Sequence, residues 1–569
     1  YPNIYKREEI FRQEGWNYHL EQPEGPLKYN GVVYNEMKGA FSSPDEVLER
    51  EIMNHLFPDT TYGCESGGDP KNIPDLTYEN FLNFHRTYYH PSNSYIYLYG
   101  NMDMEEKLKF LDEHYLSNFD YLDVDSVIQE QKAFEKCQDV VLEYPVAENE
   151  GEEDNTYLSY NMVAGNASDS QMAMAFEVLD YALLSAPGAP LKQALLDAKA
   201  GKDVYGSYDD GILQPYFTVI AKGSNPDKKE EFLSVIRQVL GDIVKNGIDK
   251  KAIEAGINYF EFRYREADFS SYPKGLMYSL DILGDWLYEQ GNPFAQVQQL
   301  EVFEKLKAAV NEGYFEELIR KYLLENPHGC VLTLVPKKGL AAKREKELEE
   351  KLEAYRSSLS EQELNAMVEK TKALEAYQEA EEDQEALECI PMLKRSDIKK
   401  EAAKFVNEEL SVDDSLFLYH DVCTNGIGYV DLMFKTDSIA PEQIPYLGLL
   451  KSVLGYVDTK DYTYGELFNE INANTGGINC GVEVFDRADS TEEFQAMFSV
   501  RGKALYTKMD FLFKMIQEIL NTSRLEDTKR LYEIIASVKS RAQVSLTGAG
   551  HSTAVLRATA YSSPMAAFQ

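Results

Sequence analysis

The spacing of apolar residues predicts a regular succession of elements between residues 136 and 337. Runs of apolar residues predict strands at 140–142 and 157–163, and helical spacing predicts a helix over 170–184. A short helix at 191–198, a Gly-rich strand at 204–212, a strand at 216–220 and an amphipathic helix that begins at Asp227 follow. The apolar face of that last helix consists of Phe232, Val235, Ile236, Val239 and Ile243.

The same succession recurs from about residue 386. A strand at 429–434 precedes a helix, a short helix at 464–472, a Gly-rich strand at 475–481 and a strand at 494–500. The last helix carries an apolar face of Phe511, Leu512, Met515, Ile516 and Ile519, and a further helix begins near His551. Because the two stretches share the order of their elements, the pattern predicts duplicated α+β domains.

Residues 338–385 have a different composition. Ala, Glu, Lys, Leu and Gln dominate, and neither Gly nor Pro occurs between Leu340 and Ile390. Ser360 and Glu363 have the spacing of a capping box in the middle of this stretch. The pattern predicts two charged helices that form a hairpin, either as a spacer between larger bodies or as a coiled-coil arm that binds a partner.

The pattern of residues 1–135 indicates a partial copy of the repeated α+β domain. The β-prone run 31–34 predicts a strand that leads into a helix starting near Glu36. Ser43 is predicted as the N-cap of the next helix, with Pro44 at its first position and Glu46 as the capping-box partner. A helix from Thr77 is predicted to place Phe81, Phe84, His85 and Tyr88 on one face, and a strand is predicted at 95–99.

An internal alignment relates the first and second units. Gly31–Glu36 can be laid over Gly256–Glu261, and the Ser-Ser pairs at 42–43 and 270–271 can be matched as well. The front half of the first repeat is absent from this alignment. We therefore predict four segments, namely 1–135, 136–337, 338–385 and 386–569, with the third repeat cut short at its end.

Charge restricts the classes of partner. The sequence has 57 Lys and Arg against 96 Asp and Glu, a net charge of -39. Such a surface repels nucleic acid and anionic membranes and attracts cationic partners, including basic peptides, although solubility alone also explains it. The apolar runs are too short for a membrane span.

The cysteines suggest a compartment. Six cysteines are scattered without a C-x-x-C pair, which is typical of reduced thiols. We expect a bacterial cytoplasm, or an organellar matrix if the source is eukaryotic. The first residue is Tyr1 in place of an initiator Met, and no signal peptide follows, so we expect the chain to begin inside a longer protein.

Taken alone, the residues show no complete active site. Glu36 is the candidate for chemistry, and the alternative is a carboxylate favoured by a helix N-terminus. None of the eight histidines has H-x-x-x-H spacing, and His85 fits a core or edge position better than a ligand. The Gly-rich stretch 62–70 lacks the Gly-Lys-Ser/Thr of a phosphate cradle and is predicted to be a plain loop.

Several uncommon short sequence motifs occur in order between residues 31 and 93. They are Gly31–Phe41, Leu56-Phe57-Pro58-Asp59-x-Thr61-Tyr62, Ser66-Gly67-Gly68-Asp69-Pro70, Ile73-Pro74, Leu76-Thr77 and His90-Pro91-Ser92-Asn93. This stretch resembles the presequence-protease branch of the pitrilysin/insulinase family of zinc metallopeptidases, whose motif is H-x-x-E-H. The resemblance is dense over about 30–100 and looser through the rest of the chain.

The resemblance implies four homologous α+β domains, two in each half of a monomeric clamshell, joined by a helical hairpin. The enclosed chamber would admit unfolded peptides and exclude folded proteins. Two His of H-x-x-E-H and a downstream Glu bind Zn²⁺ in that family, and the downstream Glu corresponds to Glu36. The motif with its general base would lie upstream of Tyr1, and the family's distal Arg and Tyr would follow Gln569, so this chain alone is expected to be inactive.

Two hypotheses follow. The first is a zinc endopeptidase that degrades short unstructured peptides, with Glu36 as the metal ligand present in this chain. The second is a non-catalytic relative that binds peptides or assembles with a separate catalytic chain. A carboxylate at position 36 favours the enzyme, because a pure scaffold has no need of it there.

Overall fold

The computed structural model describes residues 2–186, 188–288, 292–402, 404–413, 415–487 and 489–569. It is an α+β protein, as the sequence predicts, with repeated sheet-and-helix units and a helical hairpin between them. Within the described part of the chain, no helix is both long and apolar enough to cross a membrane.

The first unit is mostly helical. Its elements are α1 (Glu8–Glu14), β1 (Asn17–His19), β2 (Lys28–Asn30), α2 (Val32–Ala40), α3 (Pro44–Leu56), α4 (Tyr78–Tyr88) and α5 (Met104–His114). Strands β1 and β2 pair in antiparallel register, with Tyr18 opposite Tyr29. The predicted apolar stripe of α3 is confirmed, because Leu48, Ile52 and Leu56 are buried.

Three predictions for this unit are wrong, namely the strands at 32–34 and 95–99 and the capping box of Ser43 with Glu46. Residues 32–34 are helical, because Gly31 ends β2 and the Asn35 amide donates to the Gly31 carbonyl to close the first helical turn. Residues 95–99 are not in a strand, since no described strand pairs with them. Ser43 is the N-cap of α3 and Pro44 its first residue, as predicted, but the Ser43 side chain accepts no hydrogen bond from the helix, so the capping box with Glu46 is absent. On α4 the buried residue is Leu82, whereas Phe84 is 59% exposed.

The second unit is a five-stranded sheet with helices on both faces. Its elements are β3 (Gln138–Val146), β4 (Thr156–Val163), α6 (Ser170–Asp180), α7 (Pro190–Asp197), β5 (Asp203–Asp209), β6 (Tyr216–Ser224), α8 (Lys229–Asn246), α9 (Lys250–Glu266), α10 (Lys274–Trp286), α11 (Leu300–Ala309), α12 (Tyr314–Leu318) and β7 (Gly329–Lys338). The strand order is β3-β7-β4-β6-β5, in which only β3 and β7 run parallel. All eight residues of β4 are buried.

Different helices cover the two faces of this sheet. On one face, Phe176, Phe217, Phe232 and Phe303 belong to the largest apolar core. On the other face, Leu48, Ile52 and Leu56 of α3 pack against Tyr157, Leu332 and Leu334 of the sheet. The first unit therefore contributes a helix to the core of the second.

A helical hairpin follows, as predicted. It consists of α13 (Leu340–Ser358) and α14 (Glu361–Gln378), and α15 (Gln384–Glu388) comes next. Ser360 and Glu363 form the predicted capping box, in which each side chain bonds to the other's backbone amide. The hairpin packs against β1 and β2 through Leu352 and Val368.

The third unit repeats the second in part. Its elements are β8 (Glu408–Val412), β9 (Ser415–Tyr419), β10 (Ile427–Lys435), α16 (Ile444–Val453), α17 (Tyr464–Asn474), β11 (Ile478–Arg487), β12 (Ser490–Leu505), α18 (Met509–Thr522), α19 (Thr528–Gly548), α20 (Gly550–Thr559) and α21 (Pro564–Phe568). The strand order β10-β12-β11 reproduces β4-β6-β5, and every pair in both sets is antiparallel.

A cavity in the core of the five-stranded sheet should lower the stability of the protein. Phe176 is 0% exposed and its ring stacks on Tyr208 at 5.1 Å between centroids. We expect Phe176→Ala to lower the free energy of unfolding by about 3–5 kcal/mol, because the lost contacts leave a cavity. Urea denaturation followed by circular dichroism measures this change. Phe513→Ala is the matched control, since Phe513 is 49% exposed; an equal loss in both variants would contradict the prediction.

Candidate metal centre

Helix α2 is held in place at its first residue. Gly31 has φ 143°, and a Cβ atom there would lie 2.4 Å from the Gly15 carbonyl oxygen and 2.6 Å from the Trp16 Cα. The Tyr34 amide donates to the same Gly15 carbonyl at 3.3 Å. Only glycine tolerates this backbone conformation and this close approach without strain. The contact therefore fixes where α2 begins.

Glu36 lies on the outer face of α2. It follows the buried Tyr34 by two positions, which is about 200° around the helix. Its side chain is exposed, and in the described part of the chain it takes part in no hydrogen bond or ion pair. Lys38, two residues later, pairs instead with Glu345 of α13 at 2.9 Å. Both carboxylate oxygens of Glu36 are thus free to bind a ligand.

Glu261, which the internal alignment pairs with Glu36, has different surroundings. Glu261 lies on α9, is 6% exposed and accepts hydrogen bonds from Arg265 Nη2 at 2.7 Å and Nε at 2.9 Å. Lys307 Nζ on α11 lies 2.7 Å from its other carboxylate oxygen. Four residues after Glu36 the sequence has Ala40 where α9 has Arg265. The two glutamates that the internal alignment pairs thus differ: Glu261 is in an ion pair, and Glu36 is a free carboxylate in the described structure.

The pKa of Glu261 reflects this pairing. Burial by itself would raise the pKa, but the hydrogen bonds from Lys307 and Arg265, and their positive charges, outweigh it. The pKa of Glu261 is therefore below its ordinary value. The folded protein keeps this carboxylate ionised at a pH where the unfolded chain binds a proton.

One carboxylate does not make a metal site. A zinc site with three protein ligands needs two donors besides Glu36. Among the residues that the structure describes, no group of three or more His, Cys, Asp or Glu side chains is placed to hold a metal ion. The free carboxylate of Glu36 fits one ligand position, and the described residues do not supply the others.

The resemblance to the zinc peptidases implies a general base upstream of Tyr1, which the described residues do not test. The position of the general base therefore stays a prediction. The described residues bear only on Glu36, the metal ligand predicted from the sequence.

The described histidines lie elsewhere. His85 accepts or donates a hydrogen bond with the Tyr5 hydroxyl at 2.6 Å and stacks on Tyr89. It is partly buried, which is the core or edge position that the sequence predicted. His328 is buried, and its Nε2 lies 3.0 Å from the Leu56 carbonyl oxygen. Burial lowers the pKa of His328, so it is neutral at physiological pH.

Sequence reasoning missed a group of carboxylates around the end of β5. Burial, together with Asp210 and Asp180, raises the pKa of Glu177 to about 8. Burial also raises the pKa of Asp180, Asp210 and Asp281. Glu49 of α3 faces the same group through Asp209, and its pKa is raised by burial and by Glu46 and Asp209. The Asp209-Asp210 pair was visible in the sequence, but its partners come from other elements.

Family models place the chain. The model described as Peptidase M16 inactive domain matches residues 75–260, and the model for the associated domain of peptidase M16, subfamily C, matches residues 334–569. One match lies in the N-terminal half of the chain and the other in the C-terminal half. Curated relatives align along nearly the whole chain. The chain belongs to the M16 peptidase family.

Two curated relatives are similar to this chain along almost its whole length. Protein HypA of Clostridium perfringens is 45% identical over 568 residues, which is 100% of this chain and 58% of that protein. Presequence protease 1, chloroplastic/mitochondrial, of Arabidopsis thaliana is 33% identical over 98% of this chain and 52% of that protein. The chain spans between 52% and 58% of the length of these two relatives.

Two solved structures match the chain at low sequence identity. Pitrilysin has a TM-score of 0.43 at 12% identity, over 90% of this chain and 52% of that one. A protease from Helicobacter pylori has a TM-score of 0.43 at 17% identity, over 54% of this chain and 70% of that one.

Alanine substitution of two glycines in the α2 region should change the stability in opposite directions. We expect Gly31→Ala to destabilise the protein by at least about 1–3 kcal/mol, because alanine is strained at this φ and its Cβ meets backbone. Gly39→Ala, in the same helix, meets nothing within 4 Å and is expected to stabilise by about 0.5–1 kcal/mol. Urea denaturation of both variants measures the difference. Equal effects of the two substitutions would show that Gly31 does not constrain α2.

The ion pairs of Glu261 predict a pH-dependent loss of stability. Glu261→Gln should lower the free energy of unfolding at neutral pH by about 1–3 kcal/mol, because Arg265 and Lys307 lose a charged acceptor. The folded-state pKa is depressed, so the contribution is present above the ordinary glutamate pKa of about 4.3 and declines as the pH falls through the folded-state value. Urea denaturation from neutral to acidic pH should show the two proteins converging. A constant difference would contradict the assignment.

Proposed function

We propose that this chain is part of a zinc metalloendopeptidase and that Glu36 supplies one ligand of its metal. The observation that carries the proposal is the contrast between Glu36 and Glu261. Glu261 is neutralised by two cations, whereas Glu36 occupies the corresponding position with no cation and no hydrogen bond in the described structure. An exposed carboxylate that the fold positions but does not use is suited to bind a metal.

The other metal ligands would come from outside these 569 residues. The family membership and the greater length of the relatives support this arrangement. A zinc ion held by three protein ligands would supply an activated water for attack on a peptide carbonyl. What this chain contributes is the position of Glu36, set by the start of α2 at Gly31.

We propose short unfolded peptides as substrates, including basic ones. Several carboxyl groups lie around the end of β5, and Glu49 of α3 interacts electrostatically with Asp209 there. The pKa of Glu177 is raised to about 8, so this group is largely protonated at neutral pH, and a bound cationic peptide would favour its ionised form. The net charge of -39 acts in the same direction at longer range.

The assembled enzyme is proposed to be a monomeric clamshell without nucleic-acid or membrane partners. The segments 1–135, 136–337, 338–385 and 386–569 are proposed as its domain boundaries within this chain. All six cysteines are free thiols, which supports a reducing cytoplasm or an organellar matrix as the compartment.

The second candidate remains a non-catalytic relative that binds peptides. It shares the acidic group and the fold, and it differs in having no use for a metal at Glu36. Zinc binding by the full-length protein therefore separates the two candidates.

Glu36→Gln tests the proposal in the full-length protein. We expect zinc content to fall and peptide turnover to decrease by at least about a hundredfold, because a neutral amide is a poor zinc ligand. The melting temperature in the absence of metal should stay the same, since Glu36 stabilises no contact in the described structure. Elemental analysis, a fluorogenic peptide assay and a thermal melt measure the three quantities.

Glu105→Gln is the matched control, because Glu105 is also an exposed helical glutamate of the first unit. It should keep wild-type zinc content and turnover. Normal zinc content in Glu36→Gln would overturn the assignment of Glu36. Absence of zinc from the purified wild-type protein, after reconstitution, would favour the non-catalytic relative.

A further inference from the structure

Four tyrosine rings form a continuous row from the helical hairpin to α2. We call Tyr355, Tyr18, Tyr29 and Tyr34 the tyrosine row. The ring of Tyr355 on α13 stacks on Tyr18 at 5.0 Å between centroids, and Tyr18 contacts Tyr29 at 5.5 Å. Tyr29 then contacts Tyr34 edge to face at 5.6 Å. Tyr34 lies on α2, two residues before Glu36.

Other side chains pack along part of the row. Trp16 packs edge to face on Tyr18 at 5.2 Å and on Tyr29 at 5.6 Å. Leu20 and Leu27 beside the row are buried against Leu352 and Val368 of the hairpin. Burial, followed by the neighbouring Tyr29 and Tyr355, raises the pKa of Tyr18, so this ring stays uncharged at physiological pH. Each aromatic pair contributes about 0.5–1.5 kcal/mol beyond its buried area.

Polar contacts hold the hairpin at several points along the row. Arg356 Nη1 donates to the Pro23 carbonyl at 3.1 Å, and the Leu20 amide donates to Thr371 Oγ1 at 3.2 Å. At the other end, Glu345 of α13 accepts from Lys38 of α2 at 2.9 Å. Two helices of the hairpin therefore contact the segment from β1 to α2 at separate places. This pattern is that of a docked element, not of a free spacer.

Helix α2 needs such support. It has nine residues, and an isolated helix of this length is not stable in water. Its one buried side chain is Tyr34, the last ring of the tyrosine row. The orientation of α2 therefore depends on what Tyr34 packs against and on the backbone contact at Gly31. A metal ligand must be held to within about half an ångström, so a shift of this helix would affect binding.

We propose that the helical hairpin positions Glu36 for metal binding through the tyrosine row, with Tyr355 as the positioning residue on the hairpin. This proposal rests on the proposed function, because it assumes that Glu36 binds zinc. It assigns the hairpin a role in the metal site in place of the spacer or partner-binding arm that the sequence suggested. Removing the Tyr355 ring would leave Tyr18 free to turn, and the movement would pass to Tyr34 and α2.

The test is the zinc affinity of the full-length protein, measured by competition with a chelator. Tyr355→Ala is expected to weaken zinc binding about tenfold or more, in the range found when groups that orient a ligand are removed. Tyr355→Phe should retain wild-type affinity, because the ring and its stacking remain. Tyr355 is 39% exposed, so its loss leaves no large cavity.

Tyr377→Ala is the matched control on the same hairpin. Tyr377 contacts the first unit through Arg7, whose guanidinium lies 5.5 Å from the ring centroid, and it is not in the tyrosine row. It should loosen the hairpin without changing zinc affinity. Weakened binding in Tyr355→Ala alone supports the proposal. Wild-type affinity in Tyr355→Ala, or equal weakening in Tyr377→Ala, overturns it.

Two further measurements keep the outcomes distinct. If Tyr355→Ala does not fold, Tyr355→Leu replaces it, since leucine keeps an apolar contact and lacks the ring; the same two results then decide. If Glu36→Gln also retains zinc, the proposed function fails and the positioning role fails with it. If Glu36→Gln loses zinc while both ring-removing variants bind it normally, only the positioning role is wrong.

Discussion

The architecture depends on the burial of one sheet on both of its faces. The central strand β4 is buried along its whole length, and a strand buried on both faces needs a covering layer on each side of the sheet. The second unit provides one layer from its own helices, but the other face is covered by α3 of the first unit. The two units therefore share a core. Because α3 follows α2 after a short turn, the packing that completes the sheet also limits where Glu36 can lie.

Two glutamates that the internal alignment pairs, Glu36 and Glu261, differ in their surroundings. In the second unit a buried glutamate needs compensation, and Arg265 and Lys307 provide it. In the first unit the equivalent carboxylate is exposed, needs no partner for stability, and has none in the described structure. Ala40 stands where α9 has Arg265, and no lysine contacts Glu36 in the described structure, so the oxygens of Glu36 are unpaired there.

Local patterns predicted the elements of the second and third units well. Their helices have amphipathic faces and their strands are apolar and bounded by glycines, so local preference and tertiary packing agree. The capping box at Ser360 was also predictable, because its two hydrogen bonds join residues three positions apart. The first unit was harder. Residues 32–34 are β-prone, but the glycine before them and the burial of Tyr34 select a helix. Residues 95–99 have the composition of a strand, and a strand forms only when a partner pairs with it.

The sequence by itself determined the repeated order of elements, the helical hairpin, the acidic character and the short motifs that single out Glu36. These are properties of composition and of spacing along the chain. Tertiary structure decided which carboxylates are paired, since Glu261 meets Lys307 and Glu177 meets Asp210 only after distant elements pack together. It also decided that the hairpin docks on β1 and β2, because ring contacts such as that of Tyr18 with Tyr355 join residues far apart in the chain. Contacts of this kind depend on the packing of whole elements and leave no local pattern to read.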